Sequence, residues 1–175
     1  MPDAVTPESV MAKTLFRFDE VGSAQDWTAI DDRVMGGISR SRLRYEDAGH
    51  AVFEGMVSLE RNGGFASVRS AAGPLGLAGA DACVIEAQGD GHRFKLNLFT
   101  DDAFDALSYQ AAFAPAAGGW SSIRLPMTEF KARFRGREVT DAPALDPARI
   151  RQVGLMMADG QSGAFALRVR SIQLQ

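Results

Sequence analysis

Ala82-Cys83-Val84-Ile85-Glu86-Ala87-Gln88-Gly89-Asp90-Gly91-His92-Arg93-Phe94-Lys95-Leu96-Asn97-Leu98-Phe99-Thr100 is two apolar-rich runs around a glycine-acid-glycine step. The second run alternates strictly: Phe94, Leu96 and Leu98 face one way and Lys95, Asn97 and Phe99 the other, the period of two that a half-buried strand requires. The first run is short, small-residue-rich and β-branched, and Gly89-Asp90-Gly91 has the composition of a tight turn. The stretch therefore predicts a β-hairpin over 82–100.

The same grammar recurs along the chain. Ser41–Tyr45 and Ala51–Leu59 flank a turn at 46–50 and read as a second hairpin. Leu15–Phe18, Trp27–Ile30, Phe65–Ser70, Leu107–Phe113, Trp120–Leu125, Ile150–Met157 and Ala164–Leu174 carry strand composition, and Pro126 ends one of them because it cannot donate to a ladder. In Phe65–Ser70, Phe65, Ser67 and Arg69 share one face. Ala71 to Ala80 is a connection, and Pro147-Ala148-Arg149 begins a brief helical turn. No 3.6-residue period is sustained over 10 residues or so, which leaves an all-β sandwich or barrel. The reading is a loose tail over 1–13 and a single β-sandwich domain over 14–175.

At 175 residues, a chain of this kind buries about 70 % of its unfolded surface, enough for a core without disulfides. The formal net charge of −3 gives no basic field overall, which speaks against nucleic acid as a partner. The single cysteine, Cys83, sits in an apolar strand and reads as a small hydrophobe. No stretch approaches the roughly 18 apolar residues of a membrane span, and residues 1–13 lack the pattern of a signal peptide or presequence, so the expected location is cytoplasmic.

The most unusual run is Asp31-Asp32-Arg33-Val34-Met35-Gly36-Gly37-Ile38-Ser39, two acids and a base before adjacent glycines. A second pair, Gly63-Gly64, precedes Phe65. Adjacent glycines suggest positive φ or the close approach of another group. Such a loop either binds something or turns under its own hydrogen bonds.

In order and spacing, these motifs resemble the complex I intermediate-associated protein family. They are Trp27 followed by Asp32–Ser39, Phe53-Glu54-Gly55, Gly63–Arg69, Gly89-Asp90-Gly91 with its aromatic-basic strand, Trp120 with Leu125-Pro126 and Phe130, Arg135-Gly136-Arg137, and Gly163–Leu167. The resemblance spans about 14–175. It implies a jelly-roll sandwich of the galactose-binding-like type and binding rather than turnover. The family's mitochondrial member is an assembly factor for NADH:ubiquinone oxidoreductase, so the implied partner is another protein, a respiratory complex subunit or intermediate.

Two candidate surfaces follow. The motif loops offer Asp32, Arg33, Met35, Gly36, Gly37, Ser39, Gly63, Gly64, Arg69, Asp90, Arg135 and Arg137, with Asp32 and Arg33 expected to pair with Arg69 or Asp90. The outward or concave face of one sheet offers Lys95, Asn97, Phe99 and Gln110 beside Arg69, a mixture that suits a carbohydrate, and an ordinary solvated face accounts for it as well. Lys131, Arg133, Arg135 and Arg137 form a basic edge, which suits an acidic partner or simply deters edge pairing. His50 and His92 read as solvated turn residues, so neither zinc nor a Ser-His or Cys-His catalytic set is expected. Asp101, Asp102 and Asp105 suit a hard cation or merely an acidic turn. Asp32 and Asp90 are the only acids in motif-like settings, and structural turns explain them better than paired catalytic carboxylates. No cofactor, metal or enzymatic activity is expected.

Overall fold

Residues 12–32, 36–100, 107–134 and 136–175 are described in a computed structural model of the protein. Thirteen strands run in chain order among them: β1 (Lys13–Arg17), β2 (Thr28–Ala29), β3 (Arg40–Glu46), β4 (His50–Val57), β5 (Ala66–Arg69), β6 (Ala82–Gln88), β7 (Phe94–Phe99), β8 (Ser108–Phe113), β9 (Ser121–Pro126), β10 (Lys131–Phe134), β11 (Arg137–Glu138), β12 (Gln152–Met157) and β13 (Gly163–Leu174). Short 3-10 turns occupy Glu60–Asn62, Met127–Glu129 and Pro147–Arg149.

The strands form two antiparallel sheets, the jelly-roll sandwich that the family resemblance implies; the alternating pattern alone leaves sandwich or barrel open. The six-stranded sheet has the order β3-β4-β13-β6-β9, with β1 also on β13; the seven-stranded sheet has the order β11-β10-β8-β7-β12-β5-β2. β13 is 12 residues long, and its two halves serve different neighbours: 163–169 pair with β4 and 171–174 with β1. Between the sheets Phe53, Ile85, Phe165, Leu167 and Val169 meet Leu96, Leu98, Val153 and Leu155, all buried. Phe53 lies edge-on to Phe165 at 4.9 Å and to Phe94 of the opposite sheet at 6.3 Å, so aromatic contacts join the layers. The motif tryptophans also pack: Trp27 lies 5.0 Å from Phe16 and 5.9 Å from Phe18.

The β3–β4 hairpin forms as expected, in continuous register from Arg40↔Met56 to Glu46↔His50. The hairpin over 82–100 does not. β6 pairs with β9 and β13, whereas β7 pairs with β8 and β12, so Gly89-Asp90-Gly91 is a crossover between sheets. The reason is that a strand facing its neighbour across a core shows the same period of two as one paired beside it, and alternation cannot tell these apart. Asp90 fixes the crossover by accepting the Ala166 N–H of β13 at 2.7 Å and the His92 N–H at 3.0 Å.

His50 also differs from expectation. It opens β4 with 8 % of its surface exposed, edge-on to Trp120 at 5.3 Å, because the turn ends one residue earlier than its composition suggested. His92 is half-buried, with Nδ1 2.9 Å from Asp90 Oδ1. Cys83 is fully buried, and burial pushes its thiol up to about 12.

Candidate functional site: the clasp and the outer face of the seven-stranded sheet

The acid pair of the Asp31–Ser39 run is turned inward. Asp31 Oδ1 accepts the Ser67 N–H at 2.9 Å and the Ser41 hydroxyl at 2.6 Å, and its Oδ2 accepts the Ser41 N–H at 3.0 Å. Ser41 lies on β3 and Ser67 on β5, so this carboxylate ties the two sheets together. Asp32, 1 % exposed, accepts the Ser39 N–H at 2.8 Å through Oδ1, and the Ser39 hydroxyl, the Gly64 N–H at 2.7 Å and the Phe65 N–H at 3.3 Å through Oδ2.

Both glycine pairs follow from that carboxylate. A Cβ on Gly37 would stand 2.5 Å from Asp32 Cγ, and one on Gly63 2.6 Å from Asp32 Oδ2 and 2.7 Å from the Ser58 carbonyl oxygen. Gly36 has φ +91°, which a side chain rarely tolerates. Burial raises the Asp32 pKa, but the hydrogen bonds from the Ser39 hydroxyl and from the Gly64, Ser39 and Phe65 N–H groups outweigh it, and the carboxyl sits below its usual value. The expected pairing of Asp32 with Arg69 or Asp90 is therefore corrected: Asp32 is taken up by Ser39, Gly64 and Phe65, and Asp90 by His92 and β13. A buried carboxylate ringed by N–H donors gains several aligned bonds, which one guanidinium would not match. Arg33, Met35 and Arg135, with Asp101, Asp102 and Asp105, lie outside the described residues. Asp31 was missed as a member, although its position beside Asp32 and the serines at 39, 41 and 67 were visible.

The outer face of the seven-stranded sheet is where the other candidates meet. Thr28, Arg69, Gly154, Asn97, Gln110 and Lys131 are successive partners on β2, β5, β12, β7, β8 and β10, one transverse row across six strands. At the usual strand spacing this row spans about 24 Å. The next row holds Gln152, Phe99, Ser108 and Arg133, and the row on the other side Ser67, Met156, Lys95 and Ala112. Arg69, Lys95, Asn97, Phe99 and Gln110 are thus brought onto one face; Gln152, Met156 and Ser108 join them without having been singled out in the sequence.

Gly154 makes room in the middle of this face. The Arg69 guanidinium, from the strand on one side of it, lies 3.9 Å from the centroid of the Phe99 ring on the strand beyond, and Phe99 is 3 % exposed. Burial lowers the Arg69 pKa. Asn97 is 3 % exposed, and its Oδ1 has no hydrogen-bond partner among the described residues; the same holds for Gln152 Oε1, whose amide donates to the Ser70 carbonyl at 2.9 Å. Among the described residues Gln110 meets only a sulfur acceptor, Met156 Sδ, at 3.9 Å. Lys95 pairs with Asp159 at 2.9 Å. The face therefore sets three primary amides, of Asn97, Gln110 and Gln152, and four cations, Arg69, Lys95, Lys131 and Arg133, in one register. Arg137 lies exposed on the edge strand beside Phe134, and Arg133 donates to the Gly136 carbonyl at 3.2 Å.

A family model described as complex I intermediate-associated protein 30 matches residues 16–169. The chain belongs to this family. An uncharacterised protein of the fission yeast Schizosaccharomyces pombe is 30 % identical over 179 residues, covering 91 % of this chain and 82 % of its own. Among solved structures, the family 11 carbohydrate-binding module of the Clostridium thermocellum cellulase Lic26A-Cel5E shares the fold with a TM-score of 0.68 at 16 % identity, over 93 % of each chain. The same module solved with a β-1,3-1,4-mixed-linked tetrasaccharide gives 0.67 at 17 % identity, over 93 % of this chain and 94 % of its own. These likenesses concern the fold.

Away from the sheet face, a groove of about 720 Å³ is lined by Tyr109, Arg149, Arg151 and Asp146 among others, and a second of about 480 Å³ by Phe130, Val139, Leu145 and Glu138 among others. Each has one acid in its described lining. Among the described residues no group of three or more His, Cys, Asp or Glu side chains is placed to hold a metal ion, and no helix is long and apolar enough to cross a membrane.

Proposed function

We propose that this family member is a non-catalytic binding module of the assembly-factor type, holding another protein against the outer face of its seven-stranded sheet. The class of partner that the family description suggests is a complex I subunit or intermediate. The observation that carries the reading is the register of Arg69, Asn97, Gln110 and Lys131 across Gly154, with the buried Asn97 Oδ1 left without a donor. A buried acceptor without a partner is costly, and a ligand N–H or O–H would remove that cost. The motif loops are the weaker candidate, because Asp31, Asp32 and Ser39 spend their polar atoms on the fold. The single carboxylate in the described lining of each groove also favours binding over acid-base chemistry, which needs cooperating groups. The test is co-purification with complex I intermediates: Asn97→Leu and Gln110→Ala together are expected to abolish it while leaving the melting temperature within a few degrees. Retained association would overturn the reading.

A second reading, carbohydrate on the same face, is favoured by the fold shared with a module solved around a tetrasaccharide. Asn97, Gln110 and Gln152 are suited to paired hydroxyls. The Phe99 ring is already covered by Arg69, which removes it as a stacking platform. Calorimetric titration with a mixed-linked β-glucan tetrasaccharide tests it: saturable heat that Asn97→Leu abolishes supports it, and no heat at millimolar sugar removes it.

A further inference from the structure

The six-stranded sheet carries a different chemistry on its outer face. Strand alternation turns Arg40, Arg42 and Arg44 of β3, Arg168 and Arg170 of β13 and Arg124 of β9 outward, against Glu46, Glu54 and Glu86. Six arginines stand over three glutamates in a chain whose net charge is −3. The glutamates are all engaged: Glu54 with Arg42 at 2.8 Å and Arg44 at 2.9 Å, Glu46 with Arg44 at 3.1 Å, and Glu86 with Arg170 at 3.6 Å. Arg40, Arg124 and Arg168 have no ion-pair partner among the described residues, and each sits on a different strand.

We propose that this face is a second docking surface, which takes an acidic segment of a partner protein. Two buried valines lie in register beneath the guanidinium groups. Val52, 1 % exposed, lies in register between Arg44 and Arg168, and Val84, 8 % exposed, is paired with Arg124. Carboxylates arriving there exchange water for guanidinium forks over an apolar layer, where an ion pair is stronger than on an open surface. Arg170 Cζ lies 3.9 Å from the centroid of the Trp120 ring, a cation–π contact that helps hold the guanidinium in place beside Glu86. Exposed Met56, next to Arg40 in register, adds an apolar contact at the rim.

The interleaved glutamates decide which polyanion fits. A nucleic-acid backbone presents a phosphate at every step and meets Glu54 and Glu46 with like charge; a peptide places its acids only opposite the unpaired arginines. With the amide-bearing face on the other sheet, the module would hold two partners on opposite sides, a bridging geometry suited to assembly.

The test is titration of the intact protein with a 12-residue peptide in which glutamates alternate with serine, read by Trp120 fluorescence and by anisotropy of a label on the peptide. Trp27, the other tryptophan, is packed against Phe16 and Phe18 and serves as the internal reference. Binding is expected to shift Trp120 emission and to weaken with added salt. Arg124→Gln with Arg168→Gln should weaken it about tenfold, roughly 1.4 kcal/mol, and Arg124→Lys with Arg168→Lys should restore most of it, with melting temperatures unchanged throughout. An unchanged affinity in the double glutamine variant would overturn the proposal. So would an equal loss in Lys131→Gln with Arg133→Gln on the other sheet, or tighter binding of a 12-nucleotide oligothymidine.

Discussion

Asp32 Oδ2 and the backbone N–H of Gly64, 32 residues apart in the chain, lie 2.7 Å apart. This bond and its neighbours turn the chain's most unusual motif into a clasp between β3 and β5, on opposite sheets.

The first prediction concerns that clasp. Asp32→Ala strands the N–H groups of Ser39, Gly64 and Phe65, and should cost about 3–5 kcal/mol, since each buried unpaired donor costs roughly 1–3 kcal/mol. Gly37→Ala drives a Cβ to 2.5 Å from Asp32 Cγ and should cost about 1–3 kcal/mol as overpacking. Urea unfolding of both variants checks the order; an Asp32→Ala protein as stable as the parent would contradict it.

Acid should loosen the clasp. The folded-state pKa of Asp32 is below its unfolded value of about 3.9, so its contribution is complete above that value and is lost as pH falls through the lower folded one. Stability measured from pH 5 to pH 2 should fall less steeply in Asp32→Asn than in the parent.

His50 works in a higher window. Burial lowers its pKa, with Arg168, Arg170 and Arg44 acting in the same direction and Glu46 opposing. The folded state therefore favours neutral imidazole, and stability should decline as pH drops below about 6.5, where the unfolded chain takes up the proton. His50→Gln should remove that slope, and an NMR titration of the imidazole should show a midpoint below the usual histidine value.

How much of this was legible in the sequence can be judged from particular residues. Alternation in 94–99 separated Phe94, Leu96 and Leu98 from Lys95, Asn97 and Phe99, and the structure puts the first set in the core and the second on the outer face. The alternation could not show that β6 and β7 face each other across the core, because register with β8 and β12 is a long-range property. The glycine pairs signalled a close approach, yet the approaching group, Asp32, was identified only by three-dimensional proximity. His50 was misplaced because one residue separates a solvated turn from a buried strand end. Gln152 and Met156 joined the face once β12 was seen between β5 and β7.

Asp90 gives an independent test of the crossover. Asp90→Ala removes the acceptor of the Ala166 N–H, and by the usual worth of a hydrogen bond to a charged group should destabilise by about 1.5–3 kcal/mol. Hydrogen exchange should show faster opening at Ala166. Unaltered exchange there would mean that the crossover is held by other contacts.

The central claim is that the Asp31–Ser39 run is architecture and that partners meet the outer face of the seven-stranded sheet. Site-specific photo-cross-linking measures this directly, with the reactive side chain placed at Gln110 on that face or at exposed Ile38 in the motif loop, and irradiation in the presence of complex I intermediates. The account predicts a discrete cross-linked product from position 110 and none from position 38. A product from 38 with none from 110 would contradict it.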